Sequence, residues 1–287
     1  RDKFPDRYFD VGICEQHAVG LANGLAASGL RPVAAIYSTF LQRAFDQVFH
    51  DVCLQMRENS VVFAMDRGGL VGNDGPTHHG TFDIAYLRHL PGMKLMAPKD
   101  GRELKLMLKL AVDTEGPSCV RYPRADIPDE ELDLPSQSFS WGEAEVLREG
   151  NDGAIIAYGA MVYPSFRAAE ILSRDGMEVA VINARFAKPL DKELILEIVR
   201  THPIVFTVED HALAGGFGSA VLEMLSDEGA DVRKIRRLGI PDKFIEQGSR
   251  EELLRDLGLD EDGISGRFMM EIEKLGIPVP VRAARHR

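Results

Sequence analysis

The sequence is short of several things. Its 287 residues include one tryptophan and three cysteines, and aromatic residues make up 7% of the chain. Cys14, Cys53 and Cys119 are odd in number and widely separated. That excludes a disulfide-built secreted scaffold and paired zinc-ligand spacing, and it fits a reducing cytoplasm. No apolar run approaches the roughly 18 residues of a membrane span, and no charged-then-apolar leader opens the chain. Basic residues are outnumbered, 34 Lys and Arg against 45 Asp and Glu, for a formal net charge of -11. That balance disfavours nucleic acid or an anionic membrane as partner. An initiator methionine is missing too: the chain opens on "RDKFPDRYFD", which reads as the start of a piece cut from something longer.

What is present is ordinary globular material, 45% hydrophobic and 28% charged, long enough for two domains. Strand-length apolar runs alternate with helix-length amphipathic segments, the pattern of an α/β fold with mostly parallel sheets flanked by helices. In the first half the strand candidates are Tyr8–Val11, Arg31–Ile36, Ser60–Met65, Lys94–Met96 and Ser118–Arg121. Helices are expected over Glu15–Gly29, with Gly29 as the stop, over Thr39–Met56, and over Gly101–Asp113 behind an Asp100 cap. The acidic, proline-bearing stretch before Trp141 breaks the periodicity. The expected division is therefore a first domain over 1–126, a linker over 127–141 and a second α/β domain over 142–287. That second domain is expected to hold strands at Ala154–Ala157, Glu178–Asn183, Ile204–Val208 and Lys234–Leu238, with helices over Pro164–Asp175 and Asp191–Arg200, one more after the glycine-rich turn, and terminal helices.

Ligands of parallel α/β sheets sit beyond the carboxyl ends of strands, so the residues after each strand are the first to inspect. Glu15 stands where an apolar run meets a helix. Its flanks, Val11 to Cys14 and Ala18 to Gly20, are apolar or small. They suggest a buried carboxyl with a raised pKa that needs a partner, such as a ligand nitrogen. Tyr37, Phe40 and Arg43 follow the next strand, Phe40 and Arg43 three apart on one helical face. The loop "DRGGLVGNDGPTHHG", Asp66 to Gly80, is too long and glycine-rich for a plain turn, and it is neither a Walker A nor a dinucleotide fingerprint. Asp74 and His78 have a spacing open to metal ligation but too short a pattern to assign one; His79 and His89 are expected to face solvent. Arg67, Arg121 and Arg124 place guanidiniums at strand ends, suited to a phosphate or carboxylate. "GGFGS", Gly215 to Ser219, reads as a structural turn or interface rather than a phosphate cradle.

Several long stretches together resemble a known family. "PDRYFDVGICEQHAVGLANGLA", "PVAAIYSTFLQRAFDQVFHDV", "FAMDRGGLVGNDGPTHHGTFD" and "GPSCVRYPRAD" are similar to the pyrimidine-binding domain of the 1-deoxy-D-xylulose-5-phosphate synthases, thiamine-diphosphate enzymes of the transketolase superfamily. "ARFAKPLD", "EDHALAGGFGSAV" and "GIPDKFIEQGSREELLRDLGLD" resemble the C-terminal domain of the same family. The resemblance implies thiamine-dependent decarboxylation of pyruvate and condensation with glyceraldehyde 3-phosphate, giving 1-deoxy-D-xylulose 5-phosphate and CO2 for isoprenoid, thiamine and pyridoxal synthesis. It casts Glu15 as the acid that hydrogen-bonds the cofactor's aminopyrimidine, Phe40 as the ring stacked on it and Arg43 as support. Tyr37, Arg67 and Arg124 become the acceptor's phosphate site, and Asp74 and His78 the loop residues that assist proton movement.

The resemblance departs from the family in one large respect. The motif that holds Mg2+ and the diphosphate belongs to the family's N-terminal domain, and no stretch here matches it. The expectation is a fragment or split subunit, inactive alone, that needs a diphosphate-binding domain as partner and is itself dimeric. It would be cytoplasmic, or plastid-located if of plant or algal origin. Within the enzyme class, the rivals are a split transketolase or the β-type subunit of a 2-oxo acid dehydrogenase. A non-catalytic assembly domain is the rival from outside it.

Overall fold

The computed structural model describes residues 2–55, 60–128, 132 and 139–277. Two five-stranded sheets carry the architecture. The first has the order β1-β2-β4-β3-β8, from β1 (Val33–Ala35), β2 (Val62–Met65), β3 (Lys94–Met96), β4 (Ser118–Arg121) and β8 (Phe186–Lys188). The second has the order β10-β9-β6-β7-β5, from β5 (Glu145–Arg148), β6 (Gly153–Ala157), β7 (Val179–Asn183), β9 (Val205–Ala212) and β10 (Ile235–Ile240). Each sheet is parallel except for one edge strand, β8 against β3 and β5 against β7. Strands β2, β4, β6, β7 and β9 are buried at every residue, as expected where helices cover both faces.

The helices follow local chemistry. In α1 (Glu15–Ala27) the residues Val19, Ala22 and Ala26 form the buried stripe. Its end is a Schellman turn: Gly29, at φ 84°, donates its N–H to Ala26 O, and Leu30 donates to Leu25 O. In α5 (Gly101–Asp113), Asp100 caps the first turn by accepting from Glu103 N at 2.8 Å. The second block adds α6 (Val162–Arg174), α7 (Lys192–Thr201), α8 (Phe217–Asp227), α9 (Arg250–Asp256) and α10 (Glu261–Lys274).

Two expectations fail. Tyr8–Val11 forms no strand, because Asp10 turns the chain: its carboxylate accepts from Gly12 N, and Gly12 has φ 67°. The helix expected over Thr39–Met56 is a composite of α2 (Ser38–Leu41), a 3₁₀ turn (Gln42–Ala44), α3 (Phe45–Gln47) and a π-helical stretch (Val48–Leu54), with Met56 outside the described residues. Ala44, Val48 and Val52 still pack inward. Helices of mixed winding recur at functional sites, where they re-aim side chains. Short α4 (Asp83–Leu87), like β5 and β8, has too few residues to show a period.

The two blocks are joined by more than the chain. Strand β8 belongs to the second block by sequence yet closes the edge of the first sheet. One apolar core runs from Phe63 and Met65 through Ile156 and Tyr158 to Phe217. Of the stretch read as a linker, residues 129–131 and 133–138 lie outside the described residues.

Candidate active site

The carboxyl ends of β1, β2 and β4 and the start of α1 converge on the groups singled out above. Glu15, Phe40 and Arg43 line one open cavity of about 540 Å³, together with Ile13, Cys14, Gln16 and His17. Glu15 is the first helical residue of α1, where the helix dipole favours a negative charge. Its side chain is 11% exposed, and Arg43 Nε stands 4.0 Å from its Oε2, with the Arg43 side chain 66% exposed. Of the two apolar flanks that suggested a buried acid, the preceding one is at the surface, with Ile13 93% exposed and Gly12 and Cys14 exposed beside it, while Val19 of the following one is buried. The carboxylate therefore looks into a cavity rather than into a core.

A chain of ring contacts leads away from this cavity. Tyr37 stacks on Phe40 at 5.7 Å between centroids, and His78 meets Phe40 edge-on at 5.3 Å. The Arg67 guanidinium lies over the Tyr37 ring at 3.6 Å and pairs with Asp66. Arg124 pairs with Asp74 at 2.6 Å. The structure thus brings Glu15, Phe40 and Arg43 to one cavity, links Tyr37, Arg67 and His78 through Phe40, and joins Arg124 to Asp74. Among the described residues no group of three or more His, Cys, Asp or Glu could hold a metal ion.

Two other sequence expectations are corrected. Arg121 is not available to a ligand, because it is buried and held by Asp83 (2.9 Å) and Asp210 (3.0 Å). His79 does not face solvent; it is 3% exposed, whereas His89 is exposed as expected.

The glycine turn of the second block is an interface. Gly215 O accepts from Arg88 Nε at 2.7 Å, and Arg88 forks onto Glu223 at 2.5 and 2.6 Å. The N-terminal amides of α8 are already occupied: Phe217 N and Gly218 N donate to Glu209 at 2.6 and 2.8 Å. Burial pushes the Glu209 carboxyl up to about 8 against the pull of those two donors. Glu209, Asp210 and His211 had no assignment from sequence. The available signal is three ionisable residues in immediate succession to an apolar strand, inside an eight-residue run that is buried throughout. A second buried cluster joins the blocks through Arg185, which donates to Glu103 at 2.7 Å and pairs with Glu145 at 3.0 Å, with Lys99 and Asn183 alongside.

Comparison with known proteins fits this geometry. The transketolase pyrimidine-binding domain matches residues 1–130, and the transketolase C-terminal domain matches residues 142–264. A solved structure titled as a split gene transketolase, inactive beta4 tetramer, superposes with a TM-score of 0.84 at 32% identity, covering 95% of this chain and 86% of that one. The chain belongs to the transketolase family. Within that family it is similar to proteins named 1-deoxy-D-xylulose-5-phosphate synthase. That of Geobacter sulfurreducens is 57% identical over 97% of this chain and 43% of its own length. The synthase of Thermomicrobium roseum is 56% identical over 93% of this chain and 42% of its own length. The chain therefore spans less than half the length of the curated relatives it matches. No helix among the described residues is long and apolar enough to cross a membrane.

Proposed function

We propose that this transketolase-family chain carries the pyrimidine half of the site of a 1-deoxy-D-xylulose-5-phosphate synthase. It would work with a diphosphate-binding domain that holds thiamine diphosphate by its other end. The observation that carries the reading is the shared cavity: a carboxylate, an aromatic ring and a guanidinium, Glu15, Phe40 and Arg43, on one wall. These residues fit an aminopyrimidine, which needs a hydrogen-bonding acid at a ring nitrogen and a flat apolar surface for its face. They do not fit Mg2+, whose ligands this reading assigns to the diphosphate-binding domain.

Thiamine diphosphate, when bound, supplies the electron sink for removing CO2 from pyruvate. The residues of this chain bind, orient and move protons around it. Glu15 shares a proton at the pyrimidine ring nitrogen. Phe40 fixes the plane of the ring, and Arg43 holds the far side of the carboxylate. Arg67, Tyr37 and Arg124 capture the phosphate of glyceraldehyde 3-phosphate, the guanidiniums by charge-assisted bonds. Asp74 and His78, on the neighbouring loop, hold and pass protons at the oxygens of the reacting carbons. A homodimer, a cytoplasmic setting and a place in isoprenoid and thiamine synthesis belong to the same reading; the free thiols Cys14, Cys53 and Cys119 support a reducing compartment.

The test is reconstitution. The chain is mixed with a diphosphate-binding domain, thiamine diphosphate, Mg2+, pyruvate and glyceraldehyde 3-phosphate, and 1-deoxy-D-xylulose 5-phosphate is sought by mass. Product is expected with the added domain and none without it. Ketol transfer from a ketose phosphate, with pyruvate inert, would replace the synthase reading by that of a split transketolase; acyl transfer from pyruvate to a lipoyl acceptor would point to the 2-oxo acid dehydrogenase type.

A further inference from the structure

The loop that carries Arg67, Asp74 and His78 is closed at its base, where Gly69 N donates to Gly80 O at 2.7 Å and Gly80 N to Gly69 O at 2.8 Å. Between those glycines the chain makes a ten-residue excursion with turn bonds from Gly75 N and His78 N. Excursions of this kind depend on their own side chains for shape. The two adjacent histidines go opposite ways. His78 is half-buried, edge-on to Phe40, with Nδ1 2.9 Å from Thr77 Oγ1. His79 turns inward: its Nδ1 accepts from Val71 N at 3.1 Å, across the loop, and its Nε2 lies 3.4 Å from Glu246 O on the second block.

Those partners dictate the state of the ring. A backbone N–H at Nδ1 requires a bare nitrogen there, and a carbonyl opposite Nε2 requires a proton. Only the neutral Nε2–H tautomer satisfies both. The rest of the surroundings is tight. A side chain on Gly72 would press on Gly248 O and Arg250 N, one on Gly75 would meet Gln247, and one on Gly69 would overlap the Asp210 carboxylate. The titratable groups facing His79 are Asp74 and His78 of its own loop; the second block approaches it with the backbone carbonyls of Ile245 and Glu246.

We propose that His79 is the positioning residue of this loop: its neutral ring, bonded to Val71 and Glu246, holds His78 and Asp74 in the conformation that serves the site. The inference rests on the reading above only in what the loop is for. Protonation sets a second N–H against the Val71 N–H and removes the cross-loop bond. Burial lowers the affinity of His79 for that proton, so the bond persists through neutral pH. The released loop binds the proton more readily than the closed one. Closure is therefore complete at and above the ordinary histidine range, near 6.5, and is lost as the pH falls below it.

The test uses the whole chain with His79→Gln and His79→Leu. Glutamine offers an acceptor and a donor and does not titrate; leucine offers neither. The readout is the amide-exchange protection factor of Val71, with the melting temperature measured alongside. In the unmodified chain protection should fall, by at most about tenfold, between about pH 7.5 and about pH 5.5, the limit set by one histidine whose open-loop affinity is near 6.5. It should be low at both values in the leucine variant and high at both in the glutamine variant. Protection that is independent of pH in the unmodified chain, or that merely tracks the melting temperature across the variants, overturns the proposal. In the reconstituted enzyme, the leucine variant should lose turnover with unchanged affinity for thiamine diphosphate, and glutamine should restore it. Loss of cofactor affinity in the leucine variant counts against the proposal. If the unmodified enzyme makes no product, the functional reading falls while the protection result stands by itself.

Discussion

Glu15 and Glu209 both set a carboxyl at the N-terminal end of a helix, Glu15 as the first residue of α1 and Glu209 reaching from strand β9 to the first amides of α8, and their surroundings are opposite. Glu209 is wholly buried and satisfied: two backbone amides of α8 donate to it, and the turn packs against the first block. Glu15 stands on the wall of an open cavity with one long contact to an exposed guanidinium. The same side chain beside a helix N-terminus serves architecture in one case and leaves a hydrogen-bonding group on offer in the other. What separates them is whether the protein itself supplies the partner.

That contrast can be pressed hardest at Glu15. Glu15→Gln should cut turnover of the reconstituted enzyme by about 10² to 10⁴ fold, the usual worth of a positioned proton-transfer group, while the melting temperature stays put. A variant that keeps its activity would remove Glu15 from the chemistry, and one that loses stability would make it structural like Glu209. Arg121 tests the architectural side. Arg121→Met leaves Asp83 buried without its cation and Asp210 with only the longer contact to Arg250, at 3.4 Å, and should cost about 3–5 kcal/mol in denaturant unfolding. A cost within error would mean that water reaches this seam. The third test is at Glu209. A carboxyl pushed up to about 8 contributes stability that is complete below the ordinary carboxylate range and is lost as the pH rises through about 8. The melting temperature of the unmodified chain should therefore decline across that window, and the decline should flatten in Glu209→Gln, whatever the variant's absolute stability. Parallel slopes would mean that Glu209 is ionised throughout.

The sequence carried some of this plainly and some not at all. The Schellman stop at Gly29 and the cap at Asp100 were legible because a glycine or an aspartate at such a point has a local physical job. Phe40 and Arg43 were legible because they follow a parallel strand, β1; Glu15 was singled out behind a strand that does not form, and only the family resemblance grouped the three. The surroundings of Glu15 were misread. Apolar neighbours such as Ile13 look alike in sequence whether they fill a core or line an open surface. In "VRYPRAD", Arg121 and Arg124 are indistinguishable by type, and only the opposing Asp83 and Asp210, 38 and 89 positions away, decide which one is locked inside. The same holds for His78 and His79, whose partners come from different blocks. Strand β8 was invisible for a related reason, since its antiparallel partner β3 lies some ninety positions back, in the other block.

Strand β8 also sets a limit on how the chain can be divided. A first half made alone would present β3 with its outer row of amides and carbonyls unpaired, an invitation to strands from other molecules. Expression of the pyrimidine-binding half by itself should therefore yield aggregates at concentrations where the intact chain stays dispersed, even though the cavity around Glu15 lies wholly within that half.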